Sequence, residues 1–167
     1  KGKGIFKFLI VIGSLLTVLV IFLVSYVIFD SNIYDELYSK IEVTAHRGNS
    51  TVTMPNTIPA FKEAIKEGAD YGELDVRQTK DNVIVVTHDA SLKEMTGQDI
   101  NVRDLTYEEL QKIPCIEVNG NKCTVPKLED VINVCKGKIK LNIEIKTGNN
   151  DSEDFVSDVV KIIENTD

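Results

Sequence analysis

The sequence predicts an α/β protein in which parallel strands alternate with covering helices, preceded by one membrane-spanning helix. Two observations predict the sheet: short apolar strands alternate with amphipathic helical segments, and most stretches between strands are long enough for crossover connections. A third observation is that four successive strand ends carry ionisable side chains. Because parallel barrel strands end at one rim, this pattern is typical of an active site on a barrel rim.

The first thirty residues predict a transmembrane helix. Three lysines come first (Lys1, Lys3 and Lys7), and residues 8–29 then contain no charged side chain. At about 1.5 Å per residue, this segment makes a helix of roughly 33 Å, enough to cross a bilayer core of about 30 Å. A cleaved signal peptide is the main alternative, but its apolar part is usually about 7–15 residues long and ends in small residues. This apolar segment is longer and ends in bulky side chains, so we expect residues 8–29 to contact the lipid bilayer.

The charge distribution predicts an orientation and excludes some partners. Because the lysines precede the helix and Asp30 follows it, the positive-inside tendency places the amino terminus in the cytoplasm and the later residues outside. The formal net charge is −7, and removing the three lysines and Asp30 leaves −9 for the remainder. Such a surface does not favour nucleic acid. An anionic substrate would therefore need a locally positive site, supplied by a metal ion or by specific Arg and Lys side chains.

The elements after the helix alternate in type. Residues 31–40 are a mostly polar linker for which a juxtamembrane helical turn is predicted, and residues 41–167 form the predicted barrel domain. After the strand that leads to His46, residues 56–59 predict a helix start with a capping residue and a proline in the first turn, and Gly68 predicts its end. Further predicted elements are strands over 71–76 and 83–88 joined by a turn at 80–82, a capping box over 106–109, a helix over 126–135, a strand over 140–146 and a helix over 154–164.

Four strands form only half of a barrel and leave exposed edges. We therefore expect the sequence to be truncated at its carboxyl end. The three cysteines are too few for a disulfide framework. In an extracellular domain Cys115 and Cys123 could close the loop over 116–122, and three free thiols that include Cys135 are equally compatible with the spacing.

Ionisable side chains at the strand ends predict a catalytic site. Side chains alternate across a strand, so Glu73 and Asp75 share one face, as do Glu144 and Lys146. Each feature alone has an ordinary structural explanation, but their occurrence on four successive strand ends favours a site. The predicted site residues are His46, Arg47, Glu73, Asp75, His88, Glu144 and Lys146.

These residue types together indicate metal-assisted cleavage of a phosphate ester. Three carboxylates on strands provide hard oxygen ligands, which suit Mg²⁺ or Ca²⁺ better than zinc. The Arg47 guanidinium can hold phosphate oxygens as a fork, and Lys146 adds a point charge. His46 and His88 can accept and donate protons near neutral pH.

An ordered series of motifs over residues 43–146 resembles the glycerophosphodiester phosphodiesterase family. A single His-Arg-Gly would be weak evidence, whereas the whole series is specific. The motifs are Ala45-His46-Arg47-Gly48, Asn56-Thr57-Ile58-Pro59-Ala60-Phe61, Gly68-Ala69-Asp70, Glu73-Leu74-Asp75-Val76, Thr79-Lys80-Asp81, Val85-Val86-Thr87-His88-Asp89 and Asn142-Ile143-Glu144-Ile145-Lys146.

The resemblance implies a TIM barrel, of which this chain holds about the first half, and a specific reaction. The family hydrolyses small-molecule glycerophosphodiesters to glycerol 3-phosphate and an alcohol with Ca²⁺ or Mg²⁺. Attack by the glycerol hydroxyl of the substrate, through a cyclic phosphate, is the usual proposal. In the family, the residues that match His46 and His88 are the acid–base pair. Those that match Glu73, Asp75 and Glu144 bind the metal, and those that match Arg47 and Lys146 contact the phosphate.

Two departures from the family pattern affect specificity more than chemistry. Pro55 stands where the family usually has an acidic residue, and the glycine- and aromatic-rich segment often found after the second helix is not recognisable over 114–126. Two alternatives to the leading interpretation stay open. One is a phospholipase D-like enzyme acting on lipid head groups, and the other is a catalytically silent, membrane-tethered binding domain.

Overall fold

The computed structural model describes residues 2–39 and 41–166. The predictions include three residues that lie outside the described ones: Lys1 in the lysine segment, Lys40 in the linker and Asp167 in the barrel domain. The chain divides into two compact units, Lys1–Ile41 and Glu42–Asp167, and each is described by itself.

The first unit is one long helix, α1, over Gly2–Tyr38. Its segment Gly2–Asp35 is long and apolar enough to cross a membrane by length and composition, which a signal sequence near an amino terminus also satisfies. The helix does not stop at residue 30 but continues through most of the predicted linker, so the helical turn predicted there is continuous with α1. The physical reason is local: no glycine or proline interrupts the sequence between Asp30 and Tyr38.

The second unit is built on a sheet of four strands with β2 at its centre. The strands are β1 (Thr44–Ala45), β2 (Tyr71–Gln78), β3 (Ile84–Val86) and β4 (Lys140–Ile145). β4 pairs in parallel with β2 over six residues. β1 pairs in parallel with the first residues of β2, and β3 pairs with its last residues. Strand β4 occupies one edge of β2, and β1 and β3 both pair with residues of β2 that β4 also pairs with. Strands β1 and β3 therefore lie along the opposite edge of β2.

Strand β3 runs antiparallel to β2, so the predicted parallel direction is wrong for this strand. The reason is the length of the connection: a parallel crossover needs a dozen or more residues, and only five residues separate β2 from β3. The turn is closed by hydrogen bonds from Thr79 N–H to Val83 O (3.0 Å) and from Asn82 N–H to Thr79 O (2.9 Å). Asn82 takes a left-handed conformation there. The hairpin then carries the chain back, and Thr87 N–H donates to Asp75 O at 2.9 Å.

Three helices, over Ile58–Lys66, Leu128–Cys135 and Phe155–Thr166, pack over one face of the sheet. The apolar residues Leu74 and Val76 of β2 are fully buried among them, as the alternation within that strand predicts. The predicted capping box forms at Thr106, whereas the helix that begins at Ile58 has no side-chain cap. The helices are α2 (Ile58–Lys66), α3 (Lys93–Thr96), α4 (Tyr107–Leu110), α5 (Leu128–Cys135) and α6 (Phe155–Thr166), with one 3-10 turn at Val102–Asp104.

Candidate active site

The loop after β1 positions the first two site residues. Arg47 and Gly48 both have positive φ angles, so the chain turns sharply at the end of the strand. The Arg47 N–H donates to Glu73 Oε2 at 2.9 Å, which joins this turn to β2. A Cβ atom on Gly48 would lie 2.7 Å from the backbone carbon of Ala60 in α2. Glycine at this position therefore allows the turn to pack closely against α2.

The three predicted metal ligands come together at one place. One carboxylate oxygen from each of Glu73, Asp75 and Glu144 lies within 4.8 Å of the others. The strand register explains this, because Asp75 lies directly beside Glu144 and Glu73 is two residues earlier on the same face. The Asp75 side chain is 1% exposed, Glu73 12% and Glu144 57%. The cluster is therefore closed at its base and open towards solvent on the β4 side.

Asp75 is a buried carboxylate surrounded by polar groups. Asn56 Nδ2 donates to Asp75 Oδ2 at 3.0 Å, and the Asp75 N–H donates to Asn56 Oδ1 at 3.4 Å. Arg47 Nε lies 3.5 Å from Oδ2 and Lys146 Nζ lies 3.4 Å from Oδ1. These partners offset the cost of burying a charge, which is otherwise several kcal/mol on the order-of-magnitude scale for buried ions.

Lys146 connects the two strands that carry the carboxylates. Its Nζ lies 2.5 Å from Glu144 Oε1, and this hydrogen bond raises the pKa of Lys146 above its ordinary value, with the Asp75 carboxylate adding to the effect. Lys146 therefore remains a cation throughout the neutral pH range. Its N–H donates to Val76 O at 3.0 Å, so the backbone at the end of β4 is fixed to β2.

The two histidines have different surroundings. His46 is 69% exposed, and its Nε2 lies 3.9 Å from Glu73 Oε2. His88 Nδ1 lies 2.9 Å from Asp89 Oδ1, and this contact lowers the pKa of Asp89 below its ordinary value. An ionised carboxylate at Nδ1 fixes the orientation of the ring and leaves Nε2 free for proton transfer. His88 lines a small cleft together with Arg47 and Pro55, the residue that departs from the family pattern.

Three residues that support the site carry no role predicted from the sequence. Asn56 is predicted there only as part of a helix start, but its side chain holds Asp75, and Asp89 contacts His88. Arg77 Nε donates to the backbone carbonyl of His88 at 2.8 Å, and its Nη1 lies 3.5 Å from the carbonyl of Lys146. A signal for Arg77 is present in the sequence, because strand alternation places it on the same face as Glu73 and Asp75.

The carboxylate cluster has the chemistry of a divalent cation site. Among the His, Cys, Asp and Glu side chains of residues 2–39 and 41–166, the three of this cluster lie close enough together to hold a metal ion. The buried Asp75 Oδ1 receives no hydrogen bond, although Lys146 Nζ lies 3.4 Å from it, so this oxygen is free to accept a ligand contact. Oxygen ligands of this kind suit Ca²⁺ or Mg²⁺. The residues present therefore fit a divalent cation.

The fold and the site together define a class of protein. Parallel strands with covering helices, a carboxylate cluster beside an arginine and a lysine, and histidines at the strand ends are the parts of a TIM-barrel phosphodiesterase. The sequence model of the glycerophosphoryl diester phosphodiesterase family matches residues 46–164. The chain belongs to this family, and the resemblance drawn from its motifs is confirmed.

The chain is similar to both curated and structurally solved members of the family. It is 37% identical over 126 residues to lysophospholipase D GDPD1 of Rattus norvegicus, covering 70% of this chain and 40% of that protein. It is 42% identical over 113 residues to glycerophosphodiester phosphodiesterase of Caldanaerobacter subterraneus, covering 65% of this chain and 46% of that protein. The chain therefore spans about half the length, or less, of these relatives.

Solved structures confirm the predicted fold. The glycerophosphodiester phosphodiesterase of Thermotoga maritima superimposes with a TM-score of 0.62 at 33% identity, over 75% of this chain and 50% of that one. A phosphodiesterase of Oleispira antarctica in complex with sn-glycerol-3-phosphate superimposes with a TM-score of 0.69 at 26% identity, over 74% and 52% of the two chains. The prediction of about half of a TIM barrel agrees with this coverage.

Proposed function

We propose that the protein hydrolyses glycerophosphodiesters to glycerol 3-phosphate and an alcohol with the help of a divalent cation. The observation that carries the proposal is the carboxylate cluster of Glu73, Asp75 and Glu144, whose oxygens lie within 4.8 Å of one another. Arg47 and Lys146 contact this cluster directly. Family membership supports the same reaction class.

The charges of the site explain why a cation is needed. Three carboxylates face two permanent cations, Arg47 and Lys146, so the cluster alone keeps one excess negative charge when the histidines are neutral. A phosphodiester is itself an anion and would be repelled. Bound Ca²⁺ or Mg²⁺ would reverse the local potential and draw electron density from the phosphate oxygens. Glu73, Asp75 and Glu144 would hold this ion.

The cationic side chains and the histidines then have separate tasks. Arg47 presents a guanidinium whose Nε makes no hydrogen bond, and Lys146 presents an ammonium that its carboxylate partners keep protonated. Both are suited to hold phosphate oxygens. In our proposal one histidine accepts the proton of the attacking hydroxyl, and the other donates a proton to the departing alcohol oxygen. The contact between His88 and Asp89 would keep one ring oriented during these transfers.

We also propose that the reaction takes place at the outer face of the cytoplasmic membrane. Support comes from the helix over Gly2–Asp35 and from the lysines that precede its apolar part. Labelling tests this orientation: a single cysteine placed at exposed Lys62 by Lys62→Cys, in a chain with the three native cysteines replaced by serine, should react with a membrane-impermeant maleimide in intact cells. Labelling that appears only after cell lysis would contradict it.

The experiment that tests the reaction measures glycerol 3-phosphate released from glycerophosphocholine by the full-length protein. We expect EDTA to abolish the release and added Ca²⁺ or Mg²⁺ to restore it. His46→Ala should lower the rate by at least about 100-fold, in the range that positioned acid–base groups contribute. Glu144→Gln removes one carboxylate of the proposed cation site, so it should lower the rate and raise the concentration of Ca²⁺ or Mg²⁺ that activity requires. Glu164→Gln, an exposed carboxylate on α6, is the matched control and should leave the rate unchanged. Release that is insensitive to EDTA, or equal in Glu144→Gln, would contradict the proposal.

A second candidate is lysophospholipase D activity. The observation that favours it is the similarity to the rat protein named lysophospholipase D GDPD1. Vesicles containing lysophosphatidylcholine distinguish the two reactions, because a lysophospholipase D releases choline from them and leaves a lysophosphatidic acid. Choline release from vesicles faster than from glycerophosphocholine would favour this second candidate.

A further inference from the structure

The segment between Cys115 and Cys123 folds into a hairpin that brings the two cysteines together. The Cys115 N–H donates to the Cys123 carbonyl at 2.9 Å. At the tip, the Asn121 N–H donates to Val118 O at 2.9 Å, and Asn119 and Gly120 both have positive φ angles. An Asn-Gly pair with two positive φ angles is the preferred tight turn of a β-hairpin. The reversal is therefore determined locally, and it brings the two cysteines close to each other.

A backbone hydrogen bond joins the two cysteines, and both thiols are free in the structure. Two residues that share a backbone hydrogen bond across antiparallel chains have Cα atoms roughly 5–6 Å apart, within the range of about 4.4–6.8 Å that a disulfide spans. The third cysteine, Cys135, lies on α5 in the core beneath the sheet. A bridge between Cys115 and Cys123 thus needs only rotation of the side chains.

We propose that Cys115 and Cys123 form a disulfide by exchange with an oxidised small-molecule thiol, such as oxidised glutathione. The Cys123 thiolate attacks one sulfur of the small disulfide, which breaks that S–S bond and releases one small thiol. The Cys115 thiol then loses its proton to water, and the resulting thiolate attacks the Cys123 sulfur of the mixed disulfide. This breaks the mixed S–S bond, and the second small thiolate leaves and takes up a proton. Two protein thiols are oxidised, and one small disulfide is reduced to two thiols.

The order of the two attacks follows from exposure. Cys123 is half-buried and reachable by a small disulfide, whereas Cys115 is buried. Burial also raises the pKa of the Cys115 thiol, so the ring-closing attack is the slower step near neutral pH. We therefore expect a mixed disulfide at Cys123 to precede the bridge and to decay faster as the pH is raised.

The bridge would brace a loop that supports the candidate site. Asn119 Nδ2 donates to Val52 O at 2.9 Å, in the segment that leads to Asn56. The Ile116 N–H donates to Met95 O at 2.7 Å, and Met95 lines the cleft beside His88. A covalent link across the base of this hairpin would hold both contacts in place. The site and its brace are separate features, so the bridge can form whether or not the proposed reaction is correct.

Peptide mapping of the full chain in detergent tests the proposal. The chain is equilibrated with oxidised glutathione, its free thiols are alkylated, and it is digested with trypsin without reductant. Exposed Lys122 lies between the two cysteines, so cleavage at lysines separates them into peptides 113–122 and 123–127. We expect these two peptides to be recovered joined, and Cys135 to be recovered alkylated in peptide 128–136.

Variants and competing outcomes make the result decisive. Cys135→Ser should keep the joined pair, and Cys123→Ser should abolish it. Recovery of Cys115 and Cys123 as alkylated thiols after prolonged equilibration would overturn the proposal, as would stable glutathione adducts on either residue or a link from either to Cys135. The wild-type digest alone distinguishes these outcomes, so a variant that fails to fold does not affect the conclusion.

Discussion

Asn56 allows a quantitative test of how the buried carboxylate Asp75 is supported. The Asn56 side chain contacts both the carboxylate and the backbone N–H of Asp75, and both residues are buried. A hydrogen bond to a charged group contributes about 1.5–3 kcal/mol to stability. Asn56 also has a φ angle of 58°, a left-handed conformation that Asn and Gly tolerate better than other residues. The structure therefore predicts two separable penalties on substitution.

Asn56→Gly removes the side chain and leaves a residue suited to the backbone. We expect it to lower the free energy of unfolding by about 2 kcal/mol. Asn56→Ala removes the same contacts and adds strain at positive φ, so its loss should be about 1–2 kcal/mol larger. At a denaturant slope of about 2 kcal/mol per molar, the glycine variant should unfold at about 1 M less urea than the wild type.

The assay measures urea unfolding of the full chain in detergent. A short pulse of protease at each urea concentration reports the folded fraction of the second unit. Asn165→Ala on α6 is the matched control, because Asn165 is exposed and its loss should change stability by less than about 0.5 kcal/mol. If Asn56→Gly unfolds at the same urea concentration as this control, the contacts with Asp75 do not stabilise the fold. If the glycine and alanine variants are equal, the left-handed backbone carries no strain.

Three further predictions concern other parts of the second unit. Gly48→Ala should destabilise the fold by more than Gly97→Ala does. Both glycines have positive φ angles, but of the two only Gly48 would place its added Cβ against backbone, at 2.7 Å. The urea midpoints of the two variants check this, and equal losses of stability would contradict the close approach. Thr106→Ala removes the capping box and should lower the free energy of unfolding by about 1 kcal/mol in the same assay. Glu108 is exposed, so Glu108→Ala should lower it by less than about 0.5 kcal/mol. Burial raises the pKa of Cys135 above its ordinary value, to about 11. Its alkylation by iodoacetamide, followed on peptide 128–136, should therefore rise about tenfold per pH unit until the pH approaches that value, and a plateau near pH 9 would show that the fold does not raise this pKa.

Much of the fold is predictable from the sequence because its signals are local. Strand alternation within residues 71–76 already places Glu73 and Asp75 on one face and the two buried apolar side chains on the other. The direction of β3 is also encoded locally, because five residues with an asparagine at positive φ can form a hairpin but not a crossover. The predicted parallel direction of β3 is wrong because that prediction uses the alternation of strands and helices and does not take the short turn before β3 into account.

The sequence by itself determined which ionisable groups stand at the strand ends and in which order, because strand and helix periods are properties of neighbouring residues. Only the tertiary structure decided which of these groups meet. Lys146 reaches Asp75 because β4 pairs in parallel with β2 in one register, and Asn56 turns to Asp75 instead of capping α2. Such contacts join residues far apart in the chain, and they follow from packing the apolar faces, which no local pattern specifies.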